Sequence, residues 1–210
     1  MAGVLVKREF FPRIVRSESV TPVAEKYEPA IDSAAQQNLH GAKSAAPARL
    51  VVFNDLECPF CAAFHEVVRV AVARHGDQLS VKFLHFPLSN HRFARPSAVA
   101  VECAGKQGRF DVMTTAIFRW QDSLGLVTWD KFAKSAEIPD TTEFRKCRSQ
   151  TSDAFLQIDA DVRLGKSAGV AATPTVFLNG WKLSTLPDSA AFDALVRDIK
   201  AGEVSSSRLS

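Results

Sequence analysis

Asp55-Leu56-Glu57-Cys58-Pro59-Phe60-Cys61 is the stretch that decides the fold, because an apolar run ends here and a helical pattern with two cysteines begins. The preceding run, Leu50-Val51-Val52-Phe53, is typical of a buried central strand. A strand-to-helix junction places the first thiol at a helix N-terminus, where unpaired backbone N–H groups and the helix dipole stabilise a thiolate. The second thiol follows about one turn later. This context favours a redox-active pair, although C-x-x-C also occurs in zinc sites.

Length, charge and cysteine content limit the classes of protein to consider. The chain has 210 residues, 46% of them hydrophobic, which suffices for one domain with a good core and room for an insertion. Its 26 basic and 23 acidic residues are spread along the sequence, and this balance does not indicate nucleic-acid binding. The four cysteines, an even number, are compatible with two disulfides and an oxidising compartment. The sequence contains no apolar run of membrane-spanning length.

The pattern after the motif predicts a βαβ unit followed by a helical block. Helical spacing of apolar residues continues to Gly76, and residues 79–86 then alternate as a second strand. A connection of this length predicts that the two strands are parallel. From 92 to 168 the pattern stays helical, with room for four or five helices.

The C-terminal part returns to strand character. Thr175–Leu178 predict a third strand, and Asn179-Gly180 predicts a tight hairpin into the strand that begins at Trp181. A last helix is predicted over 188–200. The predicted order is therefore β-α-β, a helical block, then β-β-α, which makes an α/β sheet with a helical insertion.

The N-terminal segment, residues 1–47, is predicted to be a tail or linker outside the core, with some helix around Ile31–Leu39. Gly3-Val4-Leu5-Val6 followed by Lys7-Arg8 leaves two interpretations open, a flexible tail or the remains of a leader or membrane anchor. The predicted domain covers 48–204, and 205–210 form a polar tail.

The element order, with C-x-x-C at the first helix start and Thr173-Pro174 before the third strand, resembles the thioredoxin fold and, more closely, the DsbA-like thiol–disulfide oxidoreductases. The similarity covers residues 41–200. It includes three further blocks, Phe86-Pro87-Leu88, Glu102-Cys103-Ala104 and the glycine-bounded stretch 169–180. The resemblance implies a thioredoxin-like α/β fold with an all-helical insertion, about 92–168, between the second strand and the cis-proline strand.

The resemblance also implies roles for the four residues of the motif. Cys58 would be the attacking thiolate and Cys61 the thiol that resolves the mixed disulfide. Pro59 lacks an N–H and suits the first helical turn. Phe60 stands where strongly oxidising relatives often carry histidine, and because Phe60 adds no donor we expect a less extreme reduction potential.

Thr173-Pro174 resembles the cis-proline loop, which in the family packs against the active-site disulfide and pairs with an extended substrate. Proline by itself favours a trans bond here, since most X-Pro bonds are trans, and the resemblance reverses that preference. The hydroxyl of Thr173 is a candidate for tuning the thiolate.

One position departs from the family pattern. Many relatives carry a carboxylate six residues before the first cysteine, where this sequence has Val52. Asp55 and Glu57 are the second-rank candidates for proton handling. Of the two, Glu57 is rather expected to be a solvated charge that slightly raises the thiol pKa. We expect His65 and His91 to be surface or capping residues, because their spacing does not direct them to Cys58.

Cys103 and Cys147 lie on separate predicted helices of the insertion. The resemblance implies a structural disulfide between them, and the alternative is two buried free cysteines that pack as small hydrophobes. The chain-entropy estimate for a loop of this length is about 4 kcal/mol.

The leading hypothesis is a DsbA-like oxidase that donates the Cys58–Cys61 disulfide to unfolded or reduced secreted proteins in the periplasm or another extracytoplasmic space. A membrane redox partner would reoxidise it, and no bound cofactor or metal is required. Any other contact with the membrane would need the N-terminal anchor that one of the two interpretations above includes. A reductase or isomerase would use the same residues. Two other hypotheses stay open, a zinc site formed by the cysteines with His65 or His91 and a thioredoxin-like binding module with incidental cysteines.

Overall fold

A mixed sheet forms the centre of the protein, seen in a computed structural model that describes residues 38–41, 46–149 and 153–202. Within those ranges five strands pair in the order β1-β3-β2-β4-β5. β2 and β3 are parallel, and the other neighbouring pairs are antiparallel. The strands are β1 Asn38–Gly41, β2 Ala48–Asn54, β3 Leu79–His85, β4 Thr175–Leu178 and β5 Trp181–Lys182.

Seven helices of the described ranges surround this sheet. The first connects β2 to β3, the next five lie between β3 and β4, and the last packs on the first. They are α1 Pro59–His75, α2 Ala94–Gly105, α3 Phe110–Arg119, α4 Trp129–Ser135, α5 Thr141–Ser149, α6 Asp153–Ser167 and α7 Ser189–Ala201. The predicted fold class is confirmed, since an all-helical block separates the βαβ unit from the C-terminal hairpin. In the described ranges, every helix is too short or too polar to cross a membrane.

β2 is buried on both faces, as its unbroken apolar sequence predicts. Alternate side chains point to opposite faces of a strand, so β2 contributes to two separate cores. Leu50 and Val52 pack into the large core that also contains both motif cysteines. Val51 and Phe53 pack into a smaller core. The motif thus follows directly from a strand that is buried on both faces.

The N-terminal boundary differs from the sequence prediction. Asn38–Gly41, placed in a tail that was expected to end at residue 47, form β1 and pair with β3 around Ser80–Lys82. The last residues of the helix predicted around Ile31–Leu39 are therefore strand, and 31–37 lie outside the described residues. The sequence Asn-Leu-His-Gly has no alternation of apolar and polar residues that would predict a strand. An edge strand can be held by backbone pairing, which leaves no such pattern in the sequence.

Helix α6 lies unusually close to the sheet at Gly165. A Cβ atom at this position would be 2.6 Å from the Phe86 ring and 3.1 Å from the Phe53 ring. Real Cβ atoms do not approach other atoms so closely, so the absence of a side chain sets the distance between helix and sheet.

The C-terminal hairpin and α7 have the local structure that their sequence predicts. Asn179 and Gly180 both have positive φ, at 48° and 82°, as a type I′ turn requires. The Asn179 side chain also ties the turn to β2, accepting from the Arg49 backbone N–H at 2.7 Å. Asp188 caps α7 by accepting from the backbone N–H of Ala191 at 2.8 Å.

A disulfide joins the insertion internally. Cys103 of α2 and Cys147 of α5 are bonded, with Cα atoms 5.8 Å apart and 44 positions between them in sequence. This is the pair that the resemblance implied, and it links two helices that pack on each other.

Candidate active site

Cys58 occupies the N-cap position of α1, with an extended backbone at φ −83° and ψ 122°. Pro59 is the first residue of the helix, where a missing N–H costs no hydrogen bond. The Cys58 thiol is only 4% exposed and donates to the backbone carbonyl of Thr173 at 3.3 Å. The sulfur therefore lies between the helix terminus and the loop that precedes β4.

Cys61 lies one turn into α1 and is fully buried. Burial raises the pKa of its thiol far above the ordinary value, and the neighbouring Cys58 raises it further. The backbone N–H of Asp55 donates to the Cys61 sulfur at 3.4 Å, and this hydrogen bond lowers the pKa of the thiol. Both cysteines are free thiols here. The two sulfurs are thus unequal, since Cys61 strongly resists ionisation.

The loop before β4 faces both sulfurs. The Thr173–Pro174 peptide bond is cis. The Thr173 side chain is nearly buried, and its hydroxyl oxygen makes no hydrogen bond of ordinary length to the described residues. The interaction of that hydroxyl with the Cys61 thiol lowers the pKa of the thiol. The loop thus offers a carbonyl to Cys58 and a hydroxyl to Cys61.

The carboxylate of Asp55 organises the turn that leads into the motif. It is buried and accepts from the backbone N–H of Glu57 and of Leu88, both at 2.7 Å, and from Nδ1 of His91 at 2.8 Å. Its backbone N–H, rather than its carboxylate, meets the Cys61 sulfur. These contacts indicate that Asp55 holds the loop of 88–91 against the motif, and its role in proton handling stays a prediction.

Glu57 differs from the solvated charge that the sequence predicted. Its carboxylate accepts a hydrogen bond from the backbone N–H of Phe93, at the start of α2. The side chain therefore ties the motif to the insertion. The sequence could not show this, because the acceptor and the donor are 36 positions apart.

Gln121 is a residue of the site that sequence reasoning missed. It begins a single 3₁₀ turn, Gln121–Ser123, directly after α3. Its side-chain amide donates to the backbone carbonyls of Leu56 and Cys58, at 2.9 Å and 3.1 Å. A glutamine in a polar turn gives no sequence signal of such a contact.

The two histidines considered for the site lie in different surroundings. His65, expected at the surface, is in fact buried, with Nε2 at 3.2 Å from the Thr115 hydroxyl. Helix α1 turns this position towards α3, which explains the difference. His91 is bound to Asp55. In 46–149 and 153–202, no three His, Cys, Asp or Glu side chains are arranged to hold a metal ion.

Val52 and Phe60, the two apolar residues that set this motif apart from its relatives, differ in their exposure to solvent. Val52, at the position where relatives carry an acid, is 2% exposed within the core. Phe60, between the cysteines, is 69% exposed. Exposed large apolar side chains often mark surfaces that contact other molecules, so Phe60 extends the site outward.

Comparisons with known proteins agree with this geometry. The family described as Thioredoxin matches residues 34–198. The Na(+)/H(+) antiporter NhaA 1 of Mycolicibacterium gilvum (strain PYR-GCK) is 34% identical over 159 residues, which cover 75% of this chain but 25% of the antiporter. The chain thus spans a quarter of that relative's length.

Two solved structures share the fold. BdbD from Bacillus subtilis, in the oxidised form, matches with a TM-score of 0.64 and 19% identity over 90% of this chain and 100% of BdbD. DsbA2 of Pseudomonas aeruginosa matches with a TM-score of 0.57 and 25% identity, over 80% of this chain and 97% of DsbA2.

Proposed function

Because the chain belongs to the thioredoxin family and has the fold of its DsbA-like thiol–disulfide oxidoreductases, we propose that it is an oxidase that transfers the Cys58–Cys61 disulfide to reduced proteins. The observation that carries the proposal is the inequality of the two thiols. Cys58 lies at a helix N-terminus beside the cis-proline loop, whereas Cys61 is fully buried. Such a pair has a defined attacking side and a defined resolving side.

The exchange proceeds in two balanced steps. A substrate thiolate attacks Cys58 Sγ, the Cys58–Cys61 bond breaks, and Cys61 leaves with the electron pair and takes up a proton. A second substrate thiolate attacks the substrate sulfur of the mixed disulfide, and Cys58 leaves as a thiolate. The substrate loses two electrons and the protein gains them, so no cofactor enters.

We expect the cis-proline loop to orient the substrate. We expect an extended substrate segment to pair with the backbone of Thr173-Pro174, whose carbonyl at Thr173 already lies 3.3 Å from the Cys58 sulfur. The exposed ring of Phe60 would contact apolar side chains of an unfolded substrate. Backbone pairing and apolar contact with Phe60 are both compatible with many substrate sequences, as an enzyme acting on many unfolded chains requires.

The direction of transfer follows from which form is more stable. Cys58 lies at the positive end of the α1 dipole, and an interaction that stabilises the reduced form at such a position makes the disulfide a stronger oxidant. Phe60 supplies no hydrogen-bond donor to the thiolate, so we expect a weaker oxidant than relatives that carry histidine there.

A reductase or isomerase with the same cysteines is the second candidate. The two are separated by incubating the oxidised protein with a reduced, unfolded two-cysteine protein and, separately, the reduced protein with insulin. The oxidase proposal expects rapid disulfide formation in the first assay and slow insulin reduction in the second. Fast insulin reduction without oxidative refolding would establish the reductase instead.

We propose that the protein works in the periplasm or another extracytoplasmic space, where a membrane redox partner reoxidises it. The Cys103–Cys147 disulfide supports an oxidising compartment. Antiport is not proposed for this chain, since the matched antiporter is four times as long as the matching segment. Detection of the Cys58–Cys61 disulfide in intact cells, and its loss when respiratory quinones are depleted, would support this placement.

A further inference from the structure

Gln121 makes a contact that the exchange chemistry above leaves unused. Its amide nitrogen lies 2.9 Å from the Leu56 carbonyl and 3.1 Å from the Cys58 carbonyl. A side-chain amide has two N–H donors, so this single group can serve both carbonyls at once. The two carbonyls flank Glu57. Gln121 therefore holds the backbone of the turn that ends at Cys58.

The same turn is held from a second loop. The carboxylate of Asp55 accepts from the Leu88 backbone N–H at 2.7 Å, and the carboxylate of Glu57 accepts from that of Phe93. Segments 88–93 and 121–123 thus both bind the residues just before α1. Of these contacts, only the one from Gln121 reaches Cys58 itself.

The Cys58 carbonyl is fixed by two donors. Besides Gln121, the backbone N–H of Ala62 donates to it at 3.2 Å in the first hydrogen bond of α1. Fixing this carbonyl fixes the peptide plane after Cys58, and with it the direction of the Cys58 side chain relative to the helix that carries Cys61. The contact therefore sets the geometry between the two cysteines.

The relative position of Cys58 and Cys61 matters more for closing their disulfide than for attack by Cys58 on an external disulfide. Closing the Cys58–Cys61 disulfide needs a sulfur–sulfur distance of about 2.05 Å and a restricted torsion angle. Attack by Cys58 on an external disulfide involves a partner that is free to adjust. A displaced Cys58 backbone should thus slow closure before it slows attack.

We propose that Gln121 is a positioning residue for the resolving step, an inference that rests on the exchange function proposed above. In that step the Cys61 thiolate attacks Cys58 Sγ and forms the Cys58–Cys61 bond. The step closes the disulfide when an oxidising partner reoxidises the protein, so the bond between Cys58 and the partner's sulfur breaks, and the partner leaves as a thiolate with the electron pair. The proton released by Cys61 goes to solvent.

The test uses the reduced protein and 5,5′-dithiobis(2-nitrobenzoate), which releases one coloured thiolate on attack by Cys58 and a second on closure by Cys61. In Gln121→Leu we expect the second phase to slow by about fivefold or more, because small misplacements of reacting atoms are costly. The first phase should stay within about twofold of the wild type, since Cys58 itself is unchanged.

Gln107→Leu is the matched control. The Gln107 amide also bridges to backbone, donating to the Asp140 carbonyl at 3.0 Å and accepting from its N–H at 2.9 Å, but it does not contact the motif. Both release phases should match the wild type. Equal slowing of the second phase in this variant would overturn the proposal, because the effect would then be one of general stability.

Gln121→Glu is a second variant of the same size. An ionised carboxylate cannot donate to the two carbonyls, whereas a protonated carboxyl donates once. Its second-phase rate relative to wild type should therefore rise as the pH falls from 8 to 5. An unchanged second phase in both Gln121 variants, or equal slowing of both phases, would overturn the positioning role. A wild-type protein that releases no thiolate would instead overturn the exchange function itself.

Discussion

Cys61 and Cys58 are three positions apart, yet their surroundings give them different chemistry. Cys61 is enclosed by the core and receives a hydrogen bond from the Asp55 backbone, whereas Cys58 lies against the Thr173 carbonyl at the end of a helix. A buried thiol pays a desolvation cost when it ionises, which is the physical reason for its raised pKa. We therefore expect Cys58, at the helix terminus, to attack and Cys61 to resolve the mixed disulfide.

The raised pKa of Cys61 predicts how stability depends on pH. In Cys58→Ser, Cys61 is the remaining thiol of the motif, and it keeps its proton in the folded state at pH values where the unfolded chain, with a thiol pKa of about 8.5, loses it. The folded state then binds more protons than the unfolded one, so the free energy of unfolding should fall as the pH rises from 8 to 10. Urea denaturation across this range measures the fall.

The control for that experiment is Cys58→Ser combined with Cys61→Ala, which removes the titrating thiol. Its stability should decline less over the same range. Parallel curves for the single and double variants would show that Cys61 ionises as easily in the folded protein as in the unfolded chain.

Asp55 is the residue whose loss should cost the most stability near the motif. Asp55→Ala leaves the Leu88 and Glu57 backbone N–H groups and the His91 ring without their buried acceptor. We expect a loss of about 3 kcal/mol in the free energy of unfolding. Asp188→Ala, which removes the exposed cap of α7, should cost about 1 kcal/mol. A cost at Asp55 no larger than at Asp188 would contradict the organising role.

The sequence predicted individual site residues better than their contacts. Cys58 and Cys61 carry a local signal, since a strand followed by a C-x-x-C pair can be recognised in a short stretch, whereas Pro174 was assigned through the family resemblance. Gln121 and the contact of Glu57 with Phe93 carry none, because each joins segments that are far apart in the chain. Such contacts are properties of the packed insertion and not of any short stretch.

At the scale of elements, α6 depends on Gly165 for its close approach to the sheet. Gly165→Ala places a methyl group 2.6 Å from the Phe86 ring, so the helix or the ring must move. We expect a loss of about 1–3 kcal/mol in the free energy of unfolding, in spite of the higher helix propensity of alanine. Lys166→Ala, at an exposed position of the same helix, should be close to neutral. A stabilised Gly165→Ala would mean that helix and sheet are not in tight contact.

We expect the Cys103–Cys147 disulfide to stabilise the insertion without entering the exchange reaction. Replacing both cysteines by alanine should lower the free energy of unfolding by about 4 kcal/mol, mostly through the unfolded chain. The rate of exchange at Cys58 should be unchanged in the protein that remains folded, since the bond joins α2 to α5 and includes neither cysteine of the motif. A proportional loss of exchange activity would assign the pair a redox role.

Elements with strong internal patterns were predicted from the sequence, and the edge strand was not. The buried strands β2 and β3, the Asn-Gly hairpin and the last helix all follow from apolar spacing and turn residues. β1 has four residues of mixed character and depends on pairing with β3, which only the folded sheet supplies. For that reason the sequence predicted that the N-terminal tail extends to residue 47, beyond β1.

The whole molecule combines a C-x-x-C pair with a helical insertion that reaches back to it. The insertion contributes the Phe93 N–H and the Gln121 amide to the motif, while the C-terminal half of the sheet contributes the cis-proline loop. Three separated parts of the chain thus meet at Cys58.

The reduction potential of the Cys58–Cys61 pair is the measurement that tests the account most directly. Equilibration in glutathione buffers of known composition, followed by acid quenching and thiol labelling, gives the fraction of protein in the disulfide form. The account predicts a value between the strong oxidants at about −120 mV and the glutaredoxin range at about −200 mV, because Cys58 lies at the positive end of the α1 dipole while Phe60 adds no donor. A value near or below about −270 mV would contradict it, since such a pair would reduce its substrates.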